Sequence, residues 1–208
     1  MIDLHSFLLF LAAGLALNFT PGPDMLYVAA RGASEGRSAG IASTLGIGAG
    51  TLIHIAFVSL GLAALLRAIP VAYFVVRIAG AIYLIYLGIR ALRSHSTPVM
   101  QHVEPAPLST IFRQGMITNI LNPKVAFFFL AFLPQFVDPA RGNPVIQIVA
   151  LGLVFDVTGT LVNLGVAFGS SRAAAKLLDS GRANRILRKI TGAVFIGLGL
   201  RLAFDSRR

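Results

Sequence analysis

The chain has no cysteine, and only 8 of its 208 residues are acidic. Without cysteine there is no disulfide, no thiolate metal ligand and no cysteine nucleophile, and thiols give no information on compartment. Charged residues make up 12% of the chain, whereas 56% is hydrophobic and the mean hydropathy is +0.79. A soluble domain of this length carries about twice as much charge, so the composition is that of an integral membrane protein. Strict apolar/polar alternation is also missing, which disfavours a membrane β-barrel. No phosphate-binding loop and no Ser/His/Asp set at a recognisable spacing is present, so an enzyme reading has no positive support and no cofactor is expected.

What is there is a series of long apolar runs. A helix needs about 20 apolar residues to cross the hydrocarbon core. Six runs approach that length, at roughly 7–30, 41–66, 71–91, 115–136, 144–169 and 190–204, the last being the shortest. The fold class expected is all-α, with six transmembrane helices. A net charge of +10 and a pI near 11.3 would point to nucleic acid in a soluble protein. Here the basic residues sit in the connections and read as topology signals, with no nucleic-acid partner. Eleven fall in the first, third and fifth connections: Arg31, Arg37, Arg90, Arg93, Arg113, Arg172, Lys176, Arg182, Arg185, Arg188 and Lys189. Five fall on the opposite side: Arg67, Arg141, Arg201, Arg207 and Arg208. The positive-inside rule then puts both termini outside the cytoplasm. No basic residue precedes the first run and no small-residue cleavage site follows it, so that run is expected to be retained.

The polar, Pro-rich stretch from Ser94 to Pro107 divides the chain nearly in half. It reads as a linker, about 94–110, between a first unit (1–93) and a second (111–208) within one transmembrane domain. Two features repeat across it. Gly80-Ala81-Ile82-Tyr83-Leu84-Ile85-Tyr86-Leu87-Gly88-Ile89-Arg90 in the third run matches the segment from Gly192 to Arg201 in the sixth, after one deletion. Asn18-Phe19-Thr20-Pro21-Gly22-Pro23-Asp24 in the first run is answered by Asn119-Ile120-Leu121-Asn122-Pro123-Lys124 in the fourth. Three spans per unit reverse the orientation of the second, giving an inverted three-plus-three repeat with interrupted helices 1 and 4. That pattern points to a midplane substrate site in a secondary transporter.

Proline removes a backbone donor and frees carbonyls that lipid cannot satisfy. Pro21 precedes Ala30, at the end of its run, by about 13 Å of helix, near the middle of a bilayer core of about 30 Å. Both following half-helices would aim their positive N-terminal ends at one centre, an arrangement suited to a carboxylate. A pair of ordinary proline kinks is the plainer alternative. Asp24, His54, Lys124 and Asp156 all fall within apolar runs, where ionisable groups are functional suspects. Asp24, His54 and Asp156 are candidates to carry a coupling proton. His54 and Asp156 each have a plainer reading as polar ties between helices. Asp24 and Lys124 are placed either to pair across the two breaks or to flank them independently, and the local spacing supports no metal site. Gly46-x3-Gly50 and Gly165-x3-Gly169 permit close helix approach, within the bundle or between copies. The basic segment from Arg172 to Lys189 carries Leu177, Leu178, Ile186 and Leu187 and reads either as an interfacial element beside anionic lipid or as a solvated loop.

These motifs resemble the LysE/RhtB family of bacterial amino-acid exporters from one end of the chain to the other. The resemblance rests on Asn18 to Asp24, on Arg77-Ile78-Ala79 with the Gly80–Arg90 segment, and on Gly115 to Phe136, including Phe132-Leu133-Pro134-Gln135-Phe136. It implies a small carrier of the bacterial inner membrane that exports amino acids, driven by the proton-motive force and often oligomeric. By position, Asn18, Pro21, Gly22, Pro23 and Asp24 match the family's first motif, and Asn119, Asn122, Pro123 and Lys124 its second. His54 sits where some members have histidine, and no family role transfers to Asp156. In the expected site, the half-helix ends after Pro21 and Pro123 hold a substrate carboxylate, Asn18, Asn119 and Asn122 orient it, and Asp24 or Asp156 meets the ammonium. An exporter of an inorganic cation or other small metabolite, and a non-transport membrane subunit, are the competing readings.

Overall fold

The computed structural model describes residues 2–68, 70–93, 104–169, 189, 192, 193, 195–197, 199, 200, 203 and 204, with backbone alone over 62–68, 70–74, 76, 77, 84 and 91. Every regular element among these residues is helical. Helix α1 (Leu4–Phe19) starts where the Asp3 carboxylate accepts the Ser6 N–H at 2.9 Å, satisfying one donor of the open first turn. The hydrogen bond holds the exposed Asp3 carboxyl below its ordinary pKa. Pro21 ends α1, because its ring nitrogen has no hydrogen to donate back to Leu17. Gly22 is extended, and Pro23 occupies the first position of α2 (Pro23–Glu35), where the missing N–H costs nothing. The two helices meet at 47°. Gly36, at φ 87°, turns the chain into α3 (Arg37–Ala68) through a conformation that side-chain-bearing residues avoid.

After α4 (Pro70–Arg93) and the linker, the second break repeats the first. Helix α5 (Leu108–Ile120) stops at Leu121, Asn122 caps α6 (Pro123–Phe127), and the two directions differ by 48°. The run does not continue as regular α-helix. It loosens into a π-turn over Phe128–Phe132 and then tightens into a 3-10 turn over Leu133–Phe136. Pro134 supplies no N–H to the Leu130 carbonyl, so the ladder must be rebuilt on either side of it. A short 3-10 turn (Pro139–Arg141) leads into α7 (Pro144–Gly169).

Residues Arg37–Gly61 of α3 and all of α7 are each long and apolar enough to cross a membrane, and each bent pair qualifies as one broken span. The described residues therefore hold up to four spans of a multi-pass membrane protein, by length and composition. Within α4, Ile78–Arg90 is apolar but shorter than a span. The sixth run is described only in part, and residues 94–103 of the linker and 172–188 of the basic segment lie outside the described residues.

Helix α3 is the central element, packed on α5 and α7. Its glycines set the approach. A Cβ at Gly46 would strike the Phe112 carbonyl, and one at Gly50 would lie 2.8 Å from the Asn119 Cβ. From the other side, a Cβ at Gly115 would lie 2.7 Å from the Ser43 carbonyl oxygen. Gly46-x3-Gly50 is thus used inside the bundle, whereas Gly165 faces open space. The main core is aromatic: Phe10, Phe128, Phe129, Phe132, Phe136 and Phe155 pack with Leu17, Leu133 and Leu151, in tilted and edge-to-face ring pairs such as Phe10 and Phe136, 5.4 Å apart at 72°.

Candidate functional site

The two breaks meet, and each serves the other. A proline at position i leaves the carbonyl at i−4 without its helical donor. For Pro21 that carbonyl is Leu17, and for Pro123 it is Asn119. Each is partly rescued by the amide three residues on, Thr20 N–H to Leu17 at 3.1 Å and Asn122 N–H to Asn119 at 3.0 Å. Each then accepts a second bond from a distant side chain. Lys124 Nζ donates to the Leu17 carbonyl at 3.1 Å and to the Thr20 carbonyl at 3.0 Å. His54 Nε2 reaches the Asn119 carbonyl at 3.2 Å. A carbonyl only accepts, so Nε2 carries the proton in this arrangement.

The Lys124 ammonium therefore sits at the negative end of α1, where a cation is favoured. It fits against Gly22, at which a Cβ would stand 3.1 Å from Nζ. Lys124 and Asp24 make no direct ion pair among the described residues. The lysine is taken by the carbonyls that the first break exposes, and the two groups act on each other only as nearby charges. Asp24, in the first turn of α2, is 8% exposed. Its Oδ2 accepts from Asn119 Nδ2 at 2.9 Å, and Oδ1 is buried with no hydrogen-bond partner. Asn122 uses its Oδ1 to cap the Lys124 N–H at 3.0 Å. Its amide neighbours the Asp24 carboxylate, yet Nδ2 is buried and makes no hydrogen bond. A buried acceptor, Asp24 Oδ1, and a buried donor, Asn122 Nδ2, thus lie near each other without a well-formed hydrogen bond.

A cavity of about 430 Å³, its open mouth included, lies beside these groups. Asp24, Asn119 and Lys124 line it together with Asn18, Thr51, Asp156, Thr160 and Asn163, and Met25, Ile47, Val125 and Phe155 give it an apolar side. Of the residues singled out from the sequence, Asp156 thus joins the site from α7. Its carboxylate faces Gly48, at 3.5 Å from where a Cβ would be. Asn18 lines the cavity, but its amide is engaged in holding α1 to α7, donating to the Phe155 carbonyl at 3.3 Å and to Thr158 Oγ1 at 3.1 Å. Gly159 makes room for it. Pro21, Gly22, Pro23 and Pro123 contribute through the backbone they interrupt. His54 is half-buried outside the cavity wall, stacked on Phe129 at 5.8 Å and 22°.

Thr51, Thr160 and Asn163 were not anticipated. Thr51 Oγ1 lies 3.4 Å from Asn119 Oδ1 and 3.2 Å from the Ile47 carbonyl, so it joins α3 to the second break. The signal available was position, since Thr51 lies one turn before His54 on the helix whose Gly46 and Gly50 face α5. Arg31, read from the sequence as a loop charge that sets topology, is 3% exposed. It is held by Glu35, by Gln114 Oε1 at 2.7 Å and by the Glu104 carbonyl at 2.8 Å.

A family model described as LysE type translocator matches residues 15–206. An uncharacterized membrane protein of Vibrio cholerae is 30% identical over 208 residues, covering 97% of this chain and 98% of the relative. One from Pseudomonas aeruginosa is 30% identical over 190 residues, 88% of each chain. A protein named leucine efflux protein, from Klebsiella pneumoniae, is 27% identical over 202 residues, 95% of this chain and 94% of the relative. No solved structure matches.

Proposed function

The chain belongs to the LysE type translocator family, and from that premise we propose that it is a secondary-active exporter of amino acids in the bacterial inner membrane, working by exchange with protons. The observation that carries this reading is the Asp24 carboxylate in the cavity wall, its buried Oδ1 without a hydrogen-bond partner and the Asn122 amide beside it. An α-amino acid brings one ammonium and one carboxylate. The first matches the free carboxylate oxygen, and the second matches the free amide with the Lys124 ammonium close by. Such recognition reads the zwitterion common to all amino acids and leaves the side chain to the apolar wall of Met25, Ile47, Val125 and Phe155. That wall favours an aliphatic substrate, in keeping with the leucine efflux proteins among the relatives.

Export against a gradient needs a group that gains and loses a proton in step with substrate. Asp24 and Asp156, which line one cavity, are the groups we assign, with His54 as a tie that holds the second break through Asn119. Both termini lie outside the cytoplasm in this reading, as the basic connections imply. The test is exchange in liposomes containing the purified protein. A pH jump should drive leucine across the membrane, and leucine should in turn move protons, with both fluxes lost in Asp24→Asn. Leucine movement that ignores the pH gradient would remove proton exchange from the proposal.

A further inference from the structure

The cavity is flanked unequally toward its two ends. Toward the start of α1, the π-turn and the 3-10 turn, the flank is the phenylalanine core, with Phe10, Phe128, Phe129, Phe132 and Phe155 each at most 4% exposed. Toward the far end of α2 the apolar layer is thin: Val28, Ile47 and Ala167, with Tyr27 and Val166 against them. Beyond it, seven residues or about 10 Å along α2 from Asp24, stands a compact polar network. Arg31 pairs with Glu35 one turn on, donates to Gln114 Oε1 on α5 and to the Glu104 carbonyl, and lies over the Tyr27 ring with its guanidinium carbon 5.6 Å from the centroid. Tyr27 Oη donates to the Ile111 carbonyl at 3.0 Å and lies 3.1 Å from Gln114 Oε1. Glu35 Oε2 accepts the Ala106 N–H at 2.8 Å. These bonds tie the end of α2 to the start of α5 and to the last residues of the linker between the two units. One further donor, Arg31 Nε, is buried without a partner.

We propose that Tyr27, Arg31, Glu35 and Gln114 form the gate through which substrate enters the cavity, and that the phenylalanine layer is the opposite, thick gate, closed in this conformation. The inference rests on the transport reading. The argument is one of relative ease. Opening the thick end means separating interlocked aromatic rings, each a large buried surface. Opening the thin end means parting a few side-chain bonds and one small apolar layer between helices already broken near the cavity. Hydrogen bonds to charged groups re-form readily with water at a helix end, so the latch is reversible where a packed core is not. Its use of Glu104 and Ala106 also makes the linker part of the gate, although linker and α2 lie about 70 residues apart in sequence. By the basic-residue rule this end faces the cytoplasm, the side from which an exporter loads.

The absence of native cysteine makes the test direct. Asn163→Cys places one thiol in the cavity wall, one turn below Ala167. Its reaction with a membrane-impermeant maleimide is followed in right-side-out and inside-out vesicles, alone and combined with Glu35→Gln or with Tyr27→Phe. Each combination should raise labelling from the α2 end by about tenfold, as expected when a charge-assisted or buried bond holding a minor open state closed is lost, and should leave labelling from the other face unchanged. Two variants guard against one that folds poorly. Unchanged labelling in both, or an equal rise from both faces, would overturn the assignment. Because labelling needs no substrate, its outcome is independent of whether amino acids prove to be the cargo.

Discussion

Replacing Lys124 by methionine separates the functional from the structural reading of the site. The ammonium makes two charge-assisted bonds, to the Leu17 carbonyl at 3.1 Å and the Thr20 carbonyl at 3.0 Å. At about 1.5–3 kcal/mol each, their loss is worth about 3–6 kcal/mol. Against that stands the cost of holding an ammonium out of water, several kcal/mol per ion, which methionine avoids while keeping a long apolar stem. The two nearly cancel, so Lys124→Met should change stability by no more than about 2 kcal/mol. Transport is expected to fall far more, at least tenfold, since the change removes the positive charge acting on Asp24 and the cation nearest a substrate carboxylate. The assay pairs thermal unfolding in detergent with amino-acid efflux at matched membrane expression. Lys124→Arg keeps the charge but brings a planar, bulkier head into a space where even a Cβ on Gly22 would be tight. It too should transport poorly. Efflux at the wild-type rate in Lys124→Met, or a variant that no longer folds, would refute this reasoning.

Other consequences follow from the same geometry. Gly46→Ala drives a Cβ into the Phe112 carbonyl and should destabilise by about 1–3 kcal/mol, whereas Gly165→Ala, with nothing within 4 Å, should stay within about 0.5 kcal/mol; detergent melts of the pair check both. Asn119→Leu removes the hydrogen bond from Asn119 Nδ2 to the Asp24 carboxylate. It should cost about 1.5–3 kcal/mol and abolish efflux, and a variant with full efflux would contradict the role given to that bond. At the N-terminus, the lowered pKa of Asp3 means that its cap supports α1 above the ordinary carboxylate range and is lost as pH falls through the lowered value. Amide exchange at Ser6 should accelerate in that acid range, and Asp3→Ala should exchange fast throughout.

The breaks were legible because proline and glycine act locally. Asn18 to Asp24 and Asn119 to Lys124 mark the two bends wherever the rest of the chain goes. The path after the second break was not legible. Residues 115–136 read as one interrupted span, yet Pro134 converts the stretch beyond α6 into π and 3-10 turns, a choice among backbone repairs that packing on Phe10 and Phe155 decides. The partner of Lys124 was equally hidden. Sequence offers Asp24 as the opposite charge, but the carbonyls left by Pro21 compete for the ammonium, and only the bend brings them within reach. Arg31 shows the same limit from the other direction. Its tie to Glu35 is written in the i,i+4 spacing, whereas Gln114, 83 residues away, is what takes it out of water and makes a loop charge into a buried one. Gly46-x3-Gly50 identified close contact without naming the partner, which the structure gives as α5, whereas Gly165 meets no neighbour among the described residues.

The central claim is that the open groups between the two breaks hold an amino acid. The most direct measurement is efflux from cells loaded with a panel of amino acids through dipeptide feeding, comparing the wild type, Asp24→Asn, Asn122→Ala and an empty vector. The account predicts that aliphatic amino acids leave wild-type cells faster than control cells, and that both variants, present in the membrane at equal levels, fall to the control rate. If no amino acid leaves faster than from control cells, or if both variants export as the wild type does, the claim is contradicted.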